Sequence, residues 1–251
     1  MTELEFRFQD MLDEVDALSK IAVDFIDAGH RSVLAELGTV LENIRDEPSE
    51  RRRRWGIEQS NPLRTELSFG GYQKNNEGQH NIFAEITSAW EIQRIKPPGK
   101  RALRADRFAL KGLASTCVRL MRKDAQDGTA EQLAMWRMEI GDSQSPGCHF
   151  HVQVLGESAD PPFPKSLDVP RLPGIIATPL AVIEYVLAEL FQDDWPKHVA
   201  TQSAHLNRWA PIQKRRVTAV LDWQSKVVRE SSGSPWATLK NNKPDVGIFL
   251  D

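Results

Sequence analysis

A chain of 251 residues, 40% hydrophobic and 27% charged, has the composition of a globular protein and the length for a sizeable core. No apolar run approaches the roughly 18 residues that a membrane-spanning helix needs, and two cysteines, Cys117 and Cys148, cannot build a disulfide framework. The opening "MTELEFRFQDMLDEVD" lacks a basic region followed by an apolar stretch, so the expectation is a cytoplasmic protein with reduced thiols and no membrane partner.

Net charge is only −3, but residues 1–50 carry 13 acids against 4 bases and residues 51–125 carry 16 bases against 7 acids. Opposite excesses of this kind either neutralise one another within the fold or mark a segment that meets a polyanion.

Leu4, Phe8, Met11, Val15, Leu18, Ala22 and Phe25 recur at alternating spacings of four and three, the a/d seam of a helix. Gly29 is placed to stop that helix and Ser32 to cap a second, whose Val33, Leu37, Val40, Leu41 and Ile44 form one stripe before Pro48. Residues 1–48 therefore read as a helical hairpin, its seam open to the chain's own core or to a partner's helix.

Next comes "SERRRRWGIEQSNPLR", a basic connection whose four arginines repel one another and cannot be buried together. From about residue 65 the period changes to alternation. "TELSFGGYQ", "HNIFAEITSAWEIQRI", "GLASTCVRLMRK", "LAMWRMEIG" and "CHFHVQVLG" read as five antiparallel strands joined by short polar turns. The segment 158–174 holds five prolines and reads as an extended loop. Thr178 then caps a helix with Pro179 at its first position, and "APIQKRRVTAVLDWQSKVVRE" forms another with Ile212, Val217, Val220, Leu221 and Val227 or Val228 inward. The apolar "VGIFL" of the tail is placed to dock as an edge strand. The fold class expected is α+β: a helical hairpin over 1–48, then a domain over 65–251 with a five-stranded antiparallel sheet and C-terminal helices packed on it.

Chemistry concentrates between Arg137 and Gln153. Alternation puts Trp136, Met138 and Ile140 on one face with Phe150, Val152 and Val154, and puts Arg137, Glu139, His149, His151 and Gln153 on the other. With Ile140 opposite Cys148, Glu139 faces His149 and Arg137 faces His151. A histidine beside a carboxylate suits acid–base work near neutral pH, and a guanidinium suits a phosphate. Two histidines at i and i+2 with Glu139 can also share a divalent metal. No further His or Asp completes that shell, so no metal or cofactor is assigned. The alternative is an ordinary solvated face of an antiparallel sheet, where such neighbours contribute little.

Walker, Gly-x-Gly-x-x-Gly, Gly-x-Ser-x-Gly and paired Cys-x-x-Cys motifs are absent. A second candidate is a nucleic-acid contact made by Arg51, Arg52, Arg53, Arg54, Lys100, Arg101 and Arg104, with Trp55 for base stacking.

Two resemblances attach to these residues. "HFHVQVLG" resembles the strand of histidine-triad nucleotide hydrolases and transferases, with Gln153 where hydrolases carry a third histidine, as in the nucleotidyltransferase branch. That likeness implies His151 as nucleophile and His149 as its neighbour. "WRMEIGDSQSPGCHFHVQVLGE", its proline loop and "ATPLAVIEYVLAELF" resemble TumE-type bacterial toxins and related families over roughly residues 134–192. Those place an aromatic-Arg-x-acid strand and an H-x-H strand before a proline loop and a helix. Arg137, Glu139, His149 and His151 match in order, with glutamate where those families carry aspartate.

The function expected is a toxin- or defence-associated bacterial protein acting on RNA or nucleotides through the Arg/Glu/His face. The alternative is a non-catalytic subunit or adaptor that binds a protein partner through its N-terminal helices.

Overall fold

The computed structural model describes residues 3–47, 51–68, 81–95, 106–112, 114–124, 127–141, 147–155 and 171–250. Strand β1 (Glu5–Arg7) leads into helices α1 (Phe8–Ile21) and α2 (Ser32–Asp46). Strands β2 (Arg52–Trp55), β3 (Leu63–Arg64), β4 (Asn81–Ile95), β5 (Arg107–Leu110), β6 (Ala114–Lys123), β7 (Ala130–Ile140), β8 (Phe150–Leu155) and β9 (Arg171–Pro173) follow. Helices α3 (Pro179–Leu190), α4 (Asp194–Thr201), α5 (Ser203–Glu230) and α6 (Pro235–Asn241) come last.

Alternation in β4 buries Ile82, Ala84, Ile86, Ser88, Trp90 and Ile92 and leaves Glu85, Thr87, Ala89 and Glu91 more open. Both of its edges are paired, and every pairing in the sheet is antiparallel: Ile92 meets Arg53 on one side and Leu110 on the other, and Ile86 meets Leu63 and Val118. Strands β5 and β6 run end to end along one edge. Between Leu110 and Ser115 the chain takes five steps while β4, from Ile92 to Ala89, takes three, and Gly112 absorbs the excess at φ +73°. Strands β2 and β3 share the opposite edge. There Gly56 lets the chain press on β4, because a Cβ at that position would lie 2.1 Å from the Ser88 carbonyl oxygen. Outward from β6 the order is β7, β8, β9, and β1 flanks β5.

The α+β class and the large antiparallel sheet agree with the sequence, but the sheet has nine strands among the described residues where alternation marks five. Strands β1, β2, β3, β5 and β9 have two to four residues each, too few to display a period, and exist because longer neighbours offer free edges. Of the strand expected at 65–73, the described residues contribute only the bridges at Thr65 and Ser68. The tail docks through Phe249 and Leu250 in turn conformation rather than as a strand.

Helix placement differs too. Helix α1 packs between α2 and α5 and touches α3, so N- and C-terminal helices share one layer on the apolar face of the sheet. Of the two uses open to the seam, the chain's own core is the one observed: Leu4, Phe8, Met11, Val15, Leu18 and Ala22 belong to a core that runs on through Ile86, Ile140 and Phe249. The α1 seam therefore serves the chain's own core. Helix α3 starts as its sequence dictates, with Thr178 Oγ1 accepting from the Ala181 amide at 3.2 Å and Pro179 in the first turn.

In α5 the buried stripe is Trp209, Ile212, Arg216 and Val220, which turns Leu221 outward. Arg216 sits at an apolar position because it donates to both carboxylate oxygens of Glu14 on α1, with its guanidinium 5.5 Å above the Phe6 ring. Gln213 also donates to Glu14. Burial nevertheless pushes the Glu14 carboxyl above its usual range, against the pull of Arg216 and Gln213. Arg216→Met strands this carboxylate and is expected to cost about 3–5 kcal/mol, whereas the Glu14→Leu/Arg216→Met double variant recovers most of that in urea unfolding. Gly56→Ala is expected to cost on the order of 1–3 kcal/mol in the same assay, because β4 must yield to the new methyl group.

Candidate functional site

The polar side of the β7–β8 pair is organised in rows. Ser115 of β6, Glu139, His151 and Pro173 of β9 form one row, and Cys117, Arg137, Gln153 and Arg171 form the next. The register is two residues away from the one expected: Ile140 pairs with Phe150 rather than Cys148. A shift of two leaves every side chain on its own face, so the five polar residues stay together.

This face is not solvated. Glu139 is 5% exposed, His149 5%, His151 2% and Gln153 1%, while Val154 on the supposedly inner face is 37% exposed. Helix α3 does not provide the cover, since it packs against β4 and β6 from the apolar side. Strand β9 closes the β8 edge, and Gly174 donates from its amide to the Phe150 carbonyl at 2.9 Å.

His151 is held at both ring nitrogens. Nε2 lies 3.0 Å from Glu139 Oε2, and Nδ1 lies 2.8 Å from the Cys148 carbonyl oxygen. Both partners are acceptors, so each contact requires a proton on the imidazole nitrogen that faces it. Burial raises the Glu139 carboxyl, but the His151 hydrogen bond, the Arg137 charge and Ser115 outweigh it and hold the carboxyl below its usual value. Arg137 donates through Nη2 to Gln153 Oε1 at 3.1 Å, and its Nε lies 3.6 Å from Glu139 Oε1. Its side chain remains about one-third exposed.

His149 differs from its neighbour. It lies in the bend before β8, where its carbonyl accepts from the Gly141 amide at 2.7 Å. Its ring stands edge-on to Phe150 at 5.0 Å, and neither ring nitrogen has a hydrogen-bond partner. Burial, with the positive charge of Lys243 and the His151 ring, lowers its pKa to about 4. At neutral pH it is an uncharged imidazole with its acceptor lone pair unused.

Among the described residues no group of three or more His, Cys, Asp or Glu side chains is arranged to hold a metal ion. No helix among them is long and apolar enough to cross a membrane. Neither cysteine is in a disulfide, and both are half-buried.

The second candidate does not assemble as expected. Trp55 is 1% exposed, donates to the Leu37 carbonyl at 3.0 Å and packs edge-on against Trp90, so its ring offers no face for a base. Period-two alternation in β2 turns it inward, away from Arg52 and Arg54. Arg53 pairs with Glu47, Arg54 with Glu58 at 3.4 Å, and Arg52 lies 4.0 Å from Glu91. Arg51 is exposed. The acidic first segment and nearby carboxylates thus meet much of this basic run. Lys100, Arg101 and Arg104 lie outside the described residues. Residues that sequence reasoning missed include Ser115, legible from strand parity, and Arg171 and Lys243, which no local pattern marks.

Comparison with family models, with curated proteins and with solved structures finds no match.

In the unfolded chain His149 takes up a proton near 6.5, whereas in the fold it does so only near 4. Between these values the unfolded state binds the extra proton, so stability falls as pH drops through that window and this effect levels off below it. The loss is on the order of 3 kcal/mol. Urea unfolding from neutral pH down to about 4 should show this slope in the wild type and lose it in His149→Phe. An unaltered slope in the variant would contradict the assignment.

Proposed function

We propose that this chain acts on RNA or a nucleotide in a bacterial toxin- or defence-associated role, with His149 as general base and Arg137 as the group that receives a phosphate. Gln153 and Glu139 hold Arg137 in place, and His151 holds Glu139. The single observation that carries the chemistry is the buried His149 ring with no hydrogen-bond partner, in the same cluster as a guanidinium fixed by Gln153 and Glu139. Buried polar groups in folded proteins are paired as a rule, and exceptions concentrate where a ligand supplies the missing partner.

The two histidines take different parts. His151 has both nitrogens engaged, which makes it a positioning residue rather than the nucleophile that the histidine-triad likeness implies. His149 has a free lone pair to accept a proton from an attacking hydroxyl or water. Its basicity in the resting protein is low, but a phosphate seated on Arg137 brings the negative charge that favours the protonated ring. Substrate binding therefore turns His149 into a better base at the moment it is needed. The toxin or defence association is supported by the order Arg137, Glu139, His149, His151 shared with TumE-type toxins.

Incubation with single-stranded RNA and with a panel of nucleoside triphosphates tests the assignment. His149→Asn and Arg137→Gln should each lower turnover about 100-fold or more while leaving the chain folded by circular dichroism. Wild-type turnover in His149→Asn would exclude this residue as base.

A further inference from the structure

The C-terminal segment carries an aromatic group in an unusual position. Of seven tryptophans, six are buried or half-buried, and Trp236 stands 68% exposed on α6. Lys240 follows at i+4, so it shares a helix face with the indole, and Lys243 comes just after the helix ends. Both lysines are exposed. The opposite flank of α6 closes on the end of α5 around a cleft of about 510 Å³, lined by Val227, Glu230, Thr238 and Asn241 among others. Neither Trp236 nor Lys240 lines that cleft, which places the Glu230 carboxylate on the other side of the helix.

The support beneath this face is rigid. The Ser231 and Thr238 hydroxyls are hydrogen-bonded at 2.7 Å, the Gly233 amide donates to Ser231 Oγ at 3.0 Å, and Leu239 is buried. Beyond Lys243, Pro244 is buried and the Val246 carbonyl accepts from the Glu5 amide at 2.9 Å. Phe249 then anchors the tail against Phe6 at 5.1 Å. The tail that follows also reaches the candidate site, where the Phe249 ring meets Phe150, the neighbour of His149, at 6.1 Å, and the charge of Lys243 acts on His149.

We infer that Trp236, Lys240 and Lys243 form a binding face for single-stranded RNA, which leads the strand into the site at His149 and Arg137; this deepens, and rests on, the assignment of that site to RNA. A base stacks on the exposed indole, which needs no sequence and no duplex, and the two ammonium groups meet phosphates of the adjoining strand. A duplex keeps its bases stacked on one another and offers nothing to the indole. The run Arg51–Trp55 has the composition of such a face but lacks the exposed ring, and α6 has it.

Binding of a fluorescently labelled 2′-O-methyl oligouridylate of roughly 10 nucleotides, read by anisotropy, tests the inference without turnover. Trp236→Ala should weaken binding roughly 5- to 100-fold and Trp236→Phe should restore much of it. Lys240→Gln/Lys243→Gln should lower the slope of log affinity against log salt by about 1.4. Unchanged affinity in Trp236→Ala, or equal affinity for duplex RNA of the same length, overturns the inference. Turnover of unmodified RNA by the same variants separates the two proposals. If Trp236→Ala binds and turns over RNA like the wild type while His149→Asn is inactive, the binding face is wrong and the site stands. If Trp236→Ala loses binding while His149→Asn remains fully active, the binding face stands and the site falls.

Discussion

Both edges of β4 are hydrogen-bonded, by β3 and β6 toward its start and by β2 and β5 toward its end. A strand paired on both sides over this length leaves its neighbours little freedom. Their register is fixed, and with it the face each of their side chains takes. Even the short strands β2 and β5, with four residues each, exist because β4 presents unpaired donors and acceptors at the right spacing. The close approach at Gly56 and the extra residues at Gly112 are the local adjustments that let two chain segments follow each edge.

With β4 at the centre, the apolar face takes the helices, and burial on the opposite face sets up the candidate site. There Phe83, Met135, Glu139, His151 and Gln153 are all buried, so polar groups on it must find partners within the protein. Most do. Glu139 Oε2 meets His151, the Cys148 carbonyl takes the second imidazole nitrogen, and Gln153 takes Arg137, while Glu139 Oε1 and Arg137 Nε have no hydrogen-bond partner. The same economy is visible at Glu14, a fully buried carboxylate that receives Arg216 and Gln213. His149 departs furthest from this pattern, because both of its polar atoms lack a hydrogen-bond partner. Its position on the same buried face as Glu139 and His151, with the charge of Lys243 acting on it, makes a ligand's polar group the natural missing partner.

How much of this was legible depended on the length of the pattern. The polar set Arg137, Glu139, His149, His151 and Gln153 followed from parity alone, and an error of two residues in the pairing did not disturb it, because two is the period of a strand. Trp55 was misread for the complementary reason. The segment "RRRW" is one short strand, and without its partner β4 there was no parity to show that the ring turns inward. The N-terminal seam was legible residue by residue, yet Leu4, Phe6 and Phe8 also alternate with half-exposed Glu5 and Arg7, and that short strand was hidden under the heptad spacing.

The sequence by itself determined the α+β class, the positions of the long strands β4, β6, β7 and β8, the cap of α3 and the membership of the polar cluster. Each of these rests on local period or local capping chemistry, which needs no distant partner. Only the tertiary structure decided that the cluster is buried, that His151 is satisfied while His149 is not, that the helical seam is filled by α5, and that Trp236 rather than Trp55 carries an exposed ring. Exposure and hydrogen-bond satisfaction depend on what a side chain meets across the fold. The charge that acts on His149 and the guanidinium that meets Glu14 lie 94 and about 200 residues away along the chain, at Lys243 and Arg216.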